Sequence, residues 1–281
     1  MKKMAFLFIA FIAFIALFNT ASALNNFPFS VKEVGSGTNA VILIPGFACS
    51  GDVWNETVDQ LKSNHKCYVF NMAGFARVAP KGNPDIKNWV EQIALFIREN
   101  KIDRPVIIGH SLGGVMAQWL AADYPQLVSK IVVVDALPCL PAIANPTFET
   151  KQNPDCGQFV SGFSAMDDKS FYQMQKVGMA FMLSDTGKLE SVVQWSMHSD
   201  RSTMALIYCQ LLNTDLRSKI KSVKCPTLVM LEPSFKALQS SVEDQYKNLK
   251  GAQLHYADKG LHFIMYDDKA WYFEQLKNFI Q

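Results

Sequence analysis

Short runs of apolar residues recur along the chain: Ala40–Ile44 (AVILI), Cys67–Asn71 (CYVFN), Val106–Ile108, Ile131–Asp135 (IVVVD), Thr227–Leu231 (TLVML) and Gln253–Ala257. They are rich in Val, Ile and Leu, and several carry no polar alternation, the pattern of strands buried on both faces. Between them apolar positions return at helical spacing: Trp54, Val58 and Leu61; Ile86, Trp89, Val90, Ile93 and Ile97; Phe273, Leu276 and Ile280. Each set falls on one side of an α-helix. Strands alternating with amphipathic helices predict an α/β fold, a mostly parallel sheet flanked by helices on both faces.

One interval breaks the alternation. From about 137 to 215 no convincing strand is visible; Pro138, Pro141 and Pro146 open the stretch and helix-like segments follow. This predicts a helical cap inserted between two strands of a domain spanning 24–281. The stretch is rich in Met and Phe: Phe159, Phe163, Met166, Phe171, Met174, Met179, Phe181, Met182, Met197 and Met204. Such residues either pack the insertion onto the body or line an apolar pocket with adaptable side chains.

The N-terminus reads differently. Lys2 and Lys3 precede an apolar run over residues 4–18, and Ala21-Ser22-Ala23 follows as a small-residue cleavage site. That is the form of a signal peptide over 1–23, with an uncleaved anchor as the alternative. The run is short for a membrane span, which needs about 20 apolar residues. The expected location is therefore exported, periplasmic or secreted, with no stable membrane association after cleavage. What remains suits one large domain with an inserted subdomain.

The formal charge of +2 includes Lys2 and Lys3, so the mature chain is near neutral. No Lys/Arg-dense patch points to nucleic acid or to an anionic surface. The cysteines are Cys49, Cys67, Cys139, Cys156, Cys209 and Cys225. Export permits disulfides. Cys139 and Cys156, in one irregular segment, are the most plausible pair; the alternative is that all are small buried apolar residues. No CxxC or His/Cys cluster indicates a metal.

The stretch Gly109-His110-Ser111-Leu112-Gly113 has the form G-x-S-x-G, follows the apolar PVII and opens a helix running to about Asp123. A tight strand-to-helix turn of this kind lifts a serine hydroxyl to the sheet's C-terminal edge. Glycines stand where neighbouring backbone crowds the turn. Together with "LIPGFACSGDVW", "FNMAGFARVAP", "CPTLVM" and "GLHFIMYDDKAWYFEQLKNFI", the motif makes the chain resemble the α/β-hydrolase superfamily over nearly the whole mature sequence. The resemblance implies a serine-nucleophile, cap-bearing member. It does not fix a substrate, because many chemistries share these motifs.

A serine hydroxyl needs a positioned base. His262, between the last apolar run and the terminal helix, occupies the place of the superfamily's catalytic histidine. His110 is expected to shape the turn, His255 to be structural, His65 to lie at the surface by a helix end, and His198 to lie at the surface of the insertion. The orienting acid departs from the usual pattern. Most relatives carry a carboxylate after the strand equivalent to PTLVML; here Glu232 falls near the usual glycine and Phe235 near the usual acid. A second location in the superfamily, the end of the preceding strand, is matched by Asp135. The order Ser111, Asp135, His262 fits the fold, so Asp135 is favoured and Glu232 is the alternative. Asp258 is expected on the far side of the histidine loop. Backbone N–H groups of Leu112 and, by resemblance, Phe47 are expected to form the oxyanion hole. Such donors are worth about 3–4 kcal/mol each.

The leading expectation is a serine hydrolase cleaving a carboxylic ester or related acyl bond of a small, partly apolar molecule through an acyl-enzyme, with no cofactor and no metal. Serine at the nucleophile position argues against dehalogenase and epoxide-hydrolase chemistry, which uses a carboxylate there. Carbon–carbon hydrolases, amidases, lactonases and acyltransferases use the same triad and stay open, as does a non-catalytic small-ligand sensor.

Overall fold

The computed structural model describes residues 27–280, so the leader expected over 1–23 lies outside the described residues. Seven strands form one sheet: β1 (Phe29–Val34), β2 (Asn39–Ile44), β3 (His65–Met72), β4 (Val106–His110), β5 (Lys130–Val134), β6 (Thr227–Leu231) and β7 (Ala252–Tyr256). Their spatial order is β1-β3-β2-β4-β5-β6-β7. β1 runs antiparallel to β3, and every other neighbouring pair is parallel. The apolar runs are β2 to β7. β1 was not foreseen: its FSVKEV exposes half of its positions at the sheet edge and carries no continuous apolar signal.

The central strands are buried on both faces, and successive side chains divide between two cores. Ile42, Ile44, Ile107, Val133, Val229 and Leu231 face one side, under helices α2 (Ile86–Glu99) and α3 (Leu112–Asp123). Val41, Leu43, Ile108, Val132, Leu228 and Met230 face the other. There α1 (Asn55–Leu61) and the C-terminal helix Lys269–Ile280 cover them through Val58, Leu61, Tyr272 and Leu276. Each fully buried aliphatic side chain contributes about 1.5–3 kcal/mol, so the alternation fixes register strongly.

Between β5 and β6 the chain runs through four helices and no strand: α4 (Gly157–Ala165), α5 (Asp168–Ala180), α6 (Thr186–Met197) and α7 (Arg201–Leu211). The last three begin at aspartate N-caps. Asp167 accepts from Ser170 N–H, Asp185 from Gly187 N–H and Asp200 from Thr203 N–H. These satisfy backbone donors that no helical carbonyl can reach. The Met- and Phe-rich residues divide. Phe171 and Met204 are fully buried packing, whereas Met174, Phe181 and Met182 are exposed, Phe181 at 80%. After β6 come α8 (Gln239–Tyr246), the short α9 (Ile264–Asp267) and α10 (Lys269–Ile280).

The disulfide joins Cys156 to Cys209, not Cys139 to Cys156. Cys139 is buried at the start of the insertion, its N–H bonded to Gln245 Oε1, whereas Cys156 and Cys209 meet where α4 lies against α7. Nearness in sequence did not give nearness in space. The remaining cysteines are free thiols; burial pushes Cys49 up to about 12. Among the described residues no helix is long and apolar enough to cross a membrane.

Candidate active site

Ser111 joins β4 to α3 with φ of 52° and ψ of −119°, in the left-handed half of backbone space that a non-glycine residue avoids. The neighbouring glycines make this turn possible. A Cβ on Gly109 would stand 2.1 Å from Gly113 O, and one on Gly113 would stand 2.2 Å from Ile44 O. The first turn of α3 therefore presses against the end of β2. Ser111 N–H is spent on Val134 O at 2.9 Å, which ties the turn to the end of β5. Strain of this kind persists only where surrounding structure over-determines it, as at functional sites.

Asp135, directly after β5, is a second left-handed residue, with φ of 51°. Its side chain is 2% exposed. A buried carboxylate needs partners, and it has two. Oδ1 accepts from Glu232 N–H at 2.7 Å, and Oδ2 accepts from His262 Nδ1–H at 2.6 Å. Of the two acids considered from the sequence, Asp135 is the one on His262. Glu232 contributes its backbone instead, and its own carboxylate accepts from Ser234 Oγ at 2.6 Å. Burial, with repulsion from Asp135, raises the Glu232 carboxyl above the usual range. Asp258 is remote, paired with Lys236.

With Nδ1 donating to Asp135, the His262 lone pair is on Nε2. That atom and Ser111 Oγ make no hydrogen bond among the described residues. The two residues are linked through His110. Its buried ring donates Nε2–H to His262 O at 3.0 Å and stands 4.7 Å from the His262 ring. Burial, with the neighbouring His262 charge, holds His110 well below the usual imidazole range, so it stays neutral. A Cβ on Gly46 would lie 2.8 Å from His110 Nδ1 and 3.3 Å from Ser111 Cβ, so the loop after β2 also rests on this pair.

That loop is a tight turn. Cys49 N–H bonds Gly46 O at 3.2 Å, and Ala48 adopts φ of 54°. Phe47 sits at its first central position, where the N–H is not used by the turn. Leu112, at the start of α3, has an N–H that no helical carbonyl can take. Among the described residues neither N–H finds a protein acceptor. Both were named from the sequence as oxyanion donors, and the turn and helix start leave both free to take that part.

Other histidines are settled by their contacts. His255, in β7, meets Gln275 Oε1 at 2.6 Å. His65 opens β3 rather than ending a helix, and its ring reaches the last carbonyl of α1. His198 is exposed, with Nδ1–H on Gln194 O and Nε2 accepting from Arg77.

Sequence reasoning missed one group entirely. Asp267, in α9, accepts from Leu261 N–H at 2.9 Å and from Ser184 and Asp185 N–H at 3.0 and 2.9 Å. With Phe263 N–H on Met182 O at 3.2 Å, it binds the histidine loop to the α5–α6 connection of the cap. Nothing in the local spacing marks it, because its cap partners, Ser184 and Asp185, are distant in sequence.

The family model for the alpha/beta hydrolase fold matches residues 39–171. A hydrolase from Oleispira antarctica superposes with a TM-score of 0.75 at 16% identity, covering 92% of this chain and 96% of its own. The chain has the α/β-hydrolase fold. An enol-lactonase from Burkholderia xenovorans LB400 gives a TM-score of 0.74 at 15% identity, over 90% of this hydrolase and 96% of the lactonase. A pimeloyl-[acyl-carrier protein] methyl ester esterase of Vibrio parahaemolyticus is 26% identical over 200 residues, covering 70% of this hydrolase and 76% of the esterase.

Proposed function

We propose that this α/β-hydrolase cleaves a carboxylic ester, with Ser111 as nucleophile, His262 as general base and Asp135 as the acid that orients it. The observation that carries the reading is the 2.6 Å contact from His262 Nδ1 to the buried Asp135 carboxylate, one strand away from a serine held in a left-handed turn. Ser111 Oγ attacks the ester carbonyl while His262 Nε2 takes its proton. Asp135 stabilises the imidazolium without itself taking the proton. The carbonyl oxygen, now negative, is held by the Phe47 and Leu112 N–H groups. As the tetrahedral species collapses, the C–O bond to the alcohol breaks and His262 returns its proton to the leaving oxygen. Water, activated by the same imidazole, then attacks the acyl-enzyme and releases the acid and Ser111.

The match to a methyl ester esterase supports an ester rather than an amide. The enol-lactonase likeness keeps a lactone, which is an internal ester, within the same chemistry. Export is part of the proposal, supported by the basic-apolar-small N-terminal pattern and by a disulfide in the cap. The test is a fluorophosphonate label with mapping of the modified residue. Ser111 is expected to carry it, and Ser111→Ala is expected to lose both the label and at least about 10⁴-fold in kcat on p-nitrophenyl esters. Labelling elsewhere, or turnover that survives the substitution, overturns the reading.

A further inference from the structure

Helix α4 contributes no buried residue, yet it is tied to α7 at three levels and runs antiparallel to it. Before the helix, Lys151 N–H donates to Asn213 Oδ1 and Asn213 Nδ2 donates to Lys151 O, both at 2.8 Å. At its start stands the Cys156–Cys209 disulfide, with Cα atoms 5.7 Å apart. Beyond its end the Arg201 guanidinium donates to Met166 O and pairs with Asp168. Beside the disulfide each helix carries an aromatic residue: Tyr208 next to Cys209, and Phe159 three residues past Cys156. Their rings meet edge-on, centroids 5.7 Å apart, and the Tyr208 ring lies 5.6 Å from that of Phe47. Three rings therefore stand in a row, from Phe47, the proposed oxyanion donor, to the cap helix that has no buried residue. Among the described residues the Tyr208 hydroxyl has no partner, so packing and the covalent link beside it place the ring.

We infer that Phe47, Tyr208 and Phe159 form the wall that receives the apolar acyl chain of the ester, and that the Cys156–Cys209 disulfide is the positioning element that holds the outer half of that wall. The inference deepens the reading of Ser111 as nucleophile and rests on it. The acyl carbon is bonded to Ser111 Oγ with its oxygen at the Phe47 N–H, so a chain leaving that carbon starts beside Phe47. An acetyl group ends there, whereas a longer chain runs on to Tyr208 and Phe159. Each methylene taken out of water is worth about fourfold in binding, so the wall reads chain length. Because α4 has no buried residue of its own, loss of the disulfide frees the Phe159 end of the row first.

The experiment compares kcat/KM for p-nitrophenyl acetate and octanoate in the oxidised enzyme, in folded enzyme gently reduced, and in Cys156→Ser, Tyr208→Ala, Tyr208→Phe and Phe159→Ala. Thermal melting checks that each remains folded, and reduction of folded protein reads the disulfide without any refolding step. The octanoate-to-acetate ratio is expected to fall about tenfold in Tyr208→Ala and Phe159→Ala and about threefold to tenfold on reduction or in Cys156→Ser, mainly through KM. Tyr208→Phe, which keeps the ring, retains the ratio. A ratio that does not move, an equal loss on both esters, or a change that follows alcohol length in an alkyl acetate series instead overturns the inference. Fluorophosphonate labelling separates the two failures. If Ser111 does not label in the unsubstituted enzyme, the underlying reading falls; if it labels and the ratio is unmoved, only the acyl wall falls.

Discussion

Helices α3 and α4 are both short, both contain glycine and both bear on the site, yet they are held in opposite ways. In α3 nearly every residue from Leu112 to Ala122 is buried; in α4 none is. The glycines differ in the same sense. A Cβ on Gly113 would collide with Ile44 O, whereas around Gly162 there is nothing within 4 Å. The lesson concerns where a hydrolase keeps its precision. Ser111 and Asp135 stand directly at strand ends, beside a helix wedged against the sheet. The outer end of the proposed acyl wall rests on a helix with no buried residue, held by a disulfide at its start.

The largest test of that contrast is at the acid. Asp135→Asn leaves the carbonyl-like acceptor for Glu232 N–H but removes the charge that stabilises the imidazolium, and kcat is expected to fall about 10³–10⁴-fold. Glu232→Gln, whose backbone and not its side chain touches Asp135, is expected to cost less than about fivefold. Equal effects would mean that the acid has been misassigned. Next in size is Gly113→Ala. The added methyl meets backbone that cannot yield, and overpacking costs about 1–3 kcal/mol, with this backbone clash at the upper end, read as a lower denaturation midpoint. If Gly113→Ala melted like the unsubstituted protein, α3 would not be wedged as described.

The third test is acid stability. Folded His110 holds a proton less tightly than the unfolded chain does, because burial opposes its charge. The unfolded state therefore binds more protons once pH drops below about 6.5, and stability is lost as pH falls through that range. One proton corresponds to about 1.4 kcal/mol per pH unit. His110→Phe is expected to flatten the slope of unfolding free energy against pH between about 6.5 and 5 by up to that amount, read by denaturant titration, whatever it does at pH 8. The smallest effect is at the cap. Gly162→Ala, in open space on an exposed helix, is expected to stabilise by about 0.5–1 kcal/mol. A destabilised Gly162→Ala would show that α4 is packed more tightly than its exposure indicates.

Legibility in the sequence follows the same division. Strands β2 to β7 announce themselves because a strand covered on both faces has no room for polar residues. The serine turn is readable because its glycines must recur at fixed spacing. Asp135 is readable because it ends a strand. β1 was hidden because an edge strand exposes its polar positions. The Cys156–Cys209 pairing and the Asp267 contacts were hidden for another reason. They join segments 53 and about 80 residues apart, on elements whose relative placement no local pattern encodes. The part of His110 in bridging to His262 O likewise needs the full sheet before it can be seen.

Asp267 has a consequence for how a substrate gets in. Because one carboxylate grips both the imidazole-bearing loop and the α5–α6 connection, the roof shares a hinge pin with the base. Lifting the roof on that flank would drag the proton acceptor out of line and stop the reaction. The pinned flank therefore has to stay closed for as long as the imidazole is at work.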